Sequence, residues 1–243
     1  MTSWKARSLR LTVFVASEAS EKAAALGWQD IVGEKPETEM NRGQLQVGPL
    51  PPGQLVLQKQ GPTRVDMVYA GIPQEGDSSD DPIATLGPFE PAYETFRTLA
   101  LRVFEKVGPV LRLALGTELV TGAKDVKSAY DLLLKHIRST SFDLNNASEF
   151  VYQINRARPS RIVSGLKVNR LVKWHASAWQ SVQLEIGAAT RTVTGKLNVG
   201  AVITTDINSE AERVEPLPAD RIAALLDELR DLTAEVRERG DIA

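Results

Sequence analysis

From Glu149 to Asp206 apolar residues recur at every second position, and this constrains the fold more than any other feature of the chain. A period of two marks strands, because successive side chains point to opposite faces of a sheet. Four strands are expected, at Glu149–Arg156, Lys167–Trp174, Trp179–Ile186 and Lys196–Asp206, with a short piece at Arg161–Val163. Turn chemistry separates them at Pro159-Ser160, Ser164-Gly165, Gly187 and Gly195. Such spacing suits an antiparallel meander.

The remainder mixes both periods. Leu9–Ala16 reads as a strand with Leu9, Leu11, Val13 and Val15 on one face, and Glu18–Leu26 as a short helix stopped by Gly27. After a Gly- and Pro-rich stretch with an edge strand at Gln44–Val47, Gln54–Lys59 and Thr63–Ala70 form a hairpin around Gln60-Gly61-Pro62. Residues 71–88 read as a linker or surface loop. A long helix over Glu90–Val107 buries Tyr93, Phe96, Leu99, Val103 and Val107. Val110–Leu119 is a buried strand. Asp125–Arg138 is an amphipathic helix with Val126, Ala129, Tyr130, Leu133 and Ile137 inward. Ala219–Arg239 is the last helix, striped by Ile222, Leu225, Leu226, Leu229, Leu232 and Val236 and closed by Gly240. Its stripe is too short for a coiled coil, so packing onto the chain's own sheet is expected.

This order gives an α+β protein, not the regular alternation of a doubly wound fold. An N-terminal strand plus hairpin and a C-terminal four-stranded meander form antiparallel sheets packed with three longer helices. A single compact unit over 1–243 is expected, with a possible subdivision into 1–88 and 89–243. No internal repeat is legible beyond a loose likeness between two sheet-then-helix halves.

Charge is segregated within the strand-rich part. Phe150–Leu184 holds four Arg, two Lys and no Asp or Glu, and removing those six leaves 23 basic against 31 acidic residues elsewhere. With a net charge of −2, no global field draws the chain to a polyanion, so any such affinity is local. Alternation then divides the window. Lys167, Asn169, Leu171 and Lys173 share one face, and Val168, Arg170, Val172 and Trp174 share the other. If the second face is core, Arg170 needs a carboxylate partner, since an unpaired buried charge is costly. Arg156, Arg158 and Arg161 cluster around the Pro159 turn, and Lys167 and Lys173 extend that surface. These five are the candidate anion- or nucleic-acid-binding residues. Tyr152, Trp174 and Trp179 either stack on bases or, as aromatics in a meander more often do, join the core.

Other chemistry finds little support. The absence of Cys excludes disulfides and thiolate metal sites. His136 and His175 lack acidic neighbours in ligand spacing, so no metal site is expected. There is no GxSxG, no P-loop and no GxGxxG after a strand, so no catalytic residue and no cofactor are assigned. The acidic run Glu75, Asp77, Asp80 and Asp81 lacks EF-hand spacing and reads as a solvated loop. Asn146-Ala147-Ser148 matches a glycosylation acceptor without a secretory context. Leu11–Ala16 is too short for a signal-peptide core, and no apolar run approaches the roughly 18 residues of a spanning helix, so a cytoplasmic protein is expected.

Two segments carry a resemblance. Val110-Leu111-Arg112-Leu113-Ala114-Leu115-Gly116 follows the long aromatic helix, and Ala201-Val202-Ile203-Thr204-Thr205-Asp206-Ile207-Asn208 precedes the leucine-rich one. Over residues 90–243 the chain resembles a family of sporadically distributed, uncharacterised bacterial proteins. That family's central segment reads RxGLRY and its last strand carries DID; Thr117 stands where the family has Tyr. The resemblance implies no catalytic motif, and its patchy distribution implies an accessory or defence-related setting.

The reading is a non-enzymatic binding or assembly protein whose basic meander face contacts an acidic partner, another copy, or this chain's own first half. A nucleic-acid-binding protein is the alternative. A metal-independent ribonuclease using His175 with a nearby Lys or Tyr ranks third.

Overall fold

The computed structural model describes residues 3–73, 83–137, 142–144, 147–186 and 191–241, with backbone alone over 180–186 and 191–196. Its strands form one ten-stranded sheet, all antiparallel. The first half runs β1 (Lys5–Val15), α1 (Ser20–Ala25), α2 (Trp28–Val32), β2 (Thr38–Met40), β3 (Leu45–Leu50), β4 (Gly53–Lys59), β5 (Arg64–Gly71) and α3 (Phe89–Val107). The second runs β6 (Val110–Ala123), α4 (Val126–Leu134), β7 (Val151–Asn155), β8 (Arg158–Pro159), β9 (Lys167–Ile186), β10 (Arg191–Ser209) and α5 (Ile222–Arg239).

Both halves thus follow one scheme of a strand, one or two short helices, four strands and a long helix. The strand order is β2-β3-β4-β5-β1-β6-β10-β9-β7, with β8 also on β9. In each half the last strand returns to pair with the first, and β1 against β6 joins the halves. The topological repeat therefore turns over at Gly108-Pro109. Where two antiparallel sheets are expected from the sequence, there is one. The apolar strand β6 is paired on both edges and leaves no break between them.

Four further expectations are corrected. Lys167–Trp174 and Trp179–Ile186 are one strand, because His175–Ala178 contains no Gly or Pro and pairs residue for residue with Val199–Val202. Gly195 is not a turn but lies inside β10 opposite Val182. The proposed turn at Gly187 falls outside the described residues, as do Glu75, Asp77, Asp80, Asp81 and Asn146. Gly27 does not stop α1; it caps the N-terminus of α2, with its N–H donating to Asp30 at 2.8 Å. Gln44–Val47 is not the edge, since β2 lies outside β3.

Alternation decides which face carries the core. Leu9, Leu11 and Val13 of β1, Leu113, Leu115 and Leu119 of β6, and Val168, Val172 and Trp174 of β9 form one cluster with the stripes of α3, α4 and α5. The α5 stripe is buried throughout, as its spacing predicts, and Gly240 ends that helix at φ 76. Val126 is the exception in α4. Asp125 caps the helix by accepting the Ser128 N–H at 2.7 Å, which leaves Val126 exposed in the first turn. The 71–88 segment is not wholly loose: the Leu86 N–H donates to Ala6, and the Ala6 N–H to Gly87. No helix among the described residues is long and apolar enough to cross a membrane.

Candidate functional site: the face of the sheet without helices

The arginines chosen from sequence are drawn together by the last helix. The Arg156 guanidinium donates to Asp241 at 2.8 and 3.1 Å, and the Tyr152 hydroxyl donates to the same carboxylate at 2.6 Å. The hydrogen bond to Asp241 holds Arg156 above its ordinary pKa. Arg158 donates to Glu235 at 3.1 Å, and buried Arg170 lies 3.7 Å from the same residue. Desolvation, then the Arg158 charge, lowers the Arg170 pKa, against the pull of Glu235. The Arg161 side chain is 69% exposed, with Nε 3.5 Å from Glu228. The Glu228 carboxylate itself is held by the Ser160 hydroxyl at 2.6 Å and the Arg161 N–H at 2.7 Å.

The acid-free strands therefore meet acids of α5 and Asp241 just past its end, where the sequence reading offered an acidic partner, another copy or the chain's own first half. Arg170 has the carboxylate that its position required. Lys167 and Lys173 lie elsewhere, on the other face of β9.

That other face is built by register. Reading across the sheet, Ser8 of β1 stands opposite Glu118 of β6, which stands opposite Thr204 of β10, Lys173 of β9 and Gln153 of β7. One row along, Val68, Arg10, Gly116, Asp206 and Leu171 are aligned, and then Asp66, Thr12, Ala114, Asn208 and Asn169. No helix stripe joins these residues; the core cluster holds only their alternates. A small separate cluster of Ile83, Val120 and Val202, with Trp179 against it, covers one end.

Ion pairing on this face is self-contained but incomplete. Arg7 donates to Glu118 at 2.8 Å, Arg10 to Asp206 at 3.3 Å, and Arg64 lies 2.9 Å from Asp66. Arg112 instead donates to the Asn208 side chain at 2.9 Å and the Ser209 carbonyl at 3.2 Å. Neither Arg112 nor Lys173 has a carboxylate partner among the described residues. Two aromatic rings share the face. Phe14 lies between Arg64 and Arg112, whose guanidinium carbons are 5.5 and 5.4 Å from its centroid, and Arg7 sits 5.5 Å over Trp179.

His175 is on the same face. Its Nδ1 is 3.2 Å from Ser177 Oγ and its Nε2 3.4 Å from Thr204 Oγ1. Burial, and then the Lys173 charge, lower its pKa below the ordinary 6.5. A hydroxyl, not a carboxylate, meets the second ring nitrogen, so the orienting acid of an activated serine is not in place. Among the described residues no group of three or more His, Asp or Glu is arranged to hold a metal ion.

Arg7, Arg10, Arg64, Arg112 and Phe14 are absent from the sequence-level site. Arg10 was open to detection, since it alternates with Leu9 and Leu11 and must lie opposite the core. The others needed the strand pairing. No protein-family model and no curated protein matches the chain.

Proposed function

We propose that this chain is a non-enzymatic binding protein that contacts an acidic macromolecular partner with the helix-free face of its sheet. One observation carries the reading. Asp66, Glu118 and Asp206 on that face are each paired with an arginine of the face, while Arg112 and Lys173 have no carboxylate partner among the described residues. Such cations favour a partner that brings negative charge. Lys173 comes over from the five residues chosen by sequence, and exposed Lys167 extends the surface at its edge. Arg156, Arg158 and Arg161 are assigned to holding α5. An accessory or defence-related setting belongs to the same proposal and rests on the family resemblance.

Retention on immobilised heparin at increasing salt tests it. The native chain is expected to bind at low salt, the R112E/K173E double variant to elute far earlier, and R161A to behave as native. Equal elution of native and R112E/K173E overturns the reading. A dimer by light scattering, with no heparin retention, replaces the acidic partner by a second copy.

A further inference from the structure

The rings on the helix-free face narrow the chemistry of the partner. We propose that it is a single-stranded nucleic acid lying along β6; this rests on the reading that the face binds an acidic macromolecule. An acidic peptide asks only for cations. Unpaired bases also ask for planar groups to stack on, and both aromatic rings and arginine planes serve.

The face supplies both kinds of group around a flat floor. On β6, Ala114 and Gly116 raise nothing above a methyl group between β1 and β10, and both are buried, so the side chains around them form the upper surface. Arg10 lies across bare Gly116, with its Nε 3.1 Å from where a β-carbon would stand. At one end of the floor, Arg112 rests against Phe14; at the other, Arg7 lies over Trp179. Arg112 to Glu118 spans about 20 Å at the usual strand rise, room for several nucleotides. Along that path Arg112, Arg10 and Lys173 meet phosphates. The Arg10–Asp206 pair is exposed and therefore weak, so it opens readily to an oxyanion. The guanidinium–ring stacks at the ends take bases, which a duplex keeps hidden.

Fluorescence anisotropy with a labelled oligothymidylate of about 12 nucleotides tests this, beside a duplex of equal length and poly-L-glutamate. The single strand is expected to bind more tightly than the duplex. Its log affinity should fall with log salt at a slope of about −2, from three phosphate contacts at about 0.7 each. R112E/K173E should weaken binding at least about tenfold and remove about 1.4 from the slope. F14L, checked by circular dichroism for an intact fold, should weaken binding with the slope unchanged, because it removes stacking and no charge.

Poly-L-glutamate binding without oligothymidylate binding overturns the inference and leaves the acidic-partner reading standing. A duplex that binds as tightly as the single strand also overturns it. Binding of neither polymer overturns both.

Discussion

Replacing Glu228 by alanine removes the carboxylate that ties α5 to the turn between β8 and β9. Its side chain is 3% exposed and accepts two short hydrogen bonds, from the Ser160 hydroxyl at 2.6 Å and the Arg161 N–H at 2.7 Å. Ser160 Oγ in turn accepts the N–H groups of Ile162 and Val163 at 3.1 Å each, so the turn is organised through this one acid. A hydrogen bond to a charged group contributes about 1.5–3 kcal/mol, giving about 3–6 kcal/mol gross for the pair. Part is returned, because the variant no longer desolvates a carboxylate and because Ser160 and Arg161 are near enough the surface to take up water. The net loss is therefore about 2–3 kcal/mol, or about 4–12 °C in Tm for a chain of this size. The assay is urea unfolding followed by circular dichroism, with the midpoint shifting at constant slope. R161A is the control: its guanidinium is mostly solvated, so it should cost no more than about 1 kcal/mol. E228Q keeps one acceptor and should fall between. A loss below about 0.5 kcal/mol for E228A, the level of an ordinary surface change, would refute the assignment of this acid to the fold.

Asp227 makes a pH prediction. Burial pushes its pKa up, but the hydrogen bonds of Arg97 and Tyr93 and the charges of Arg97 and Arg230 outweigh it, leaving the value below the ordinary 3.8. A depressed folded pKa gives stability that is present above the unfolded value and is lost as pH falls through the folded one. Acid titration of Tm should thus show a steeper decline below about pH 4 for the native chain than for D227N, and equal slopes would contradict it. Gly240→Ala should destabilise by about 1–3 kcal/mol in thermal melts, since the residue has φ 76 and an added β-carbon would run into the His136 carbonyl. Leu115→Ala, at a fully buried core site on β6, should cost about 2–5 kcal/mol by urea midpoint.

Much of the architecture is fixed by local pattern. The α+β class, the inward stripes of α3 and α5 and the two faces of β9 follow from periods of 3.6 and 2, which a residue and its near neighbours determine. So does the demand that Arg170 find a carboxylate, because its neighbours at two-residue steps are core. What alternation leaves open is which strand lies beside which. The sequence therefore shows an acid-free window but not its neutralisation: Arg156 meets Asp241 and Arg158 meets Glu235 across separations of 85 and 77 residues. The same gap hid the candidate site, whose Arg7, Arg10, Arg64, Arg112 and Lys173 come from four strands and converge only through the β5-β1-β6-β10-β9 order. Periodicity is set by the geometry of one chain segment. Charge pairing and an open face are set by distances between segments, and those exist only once the sheet has closed.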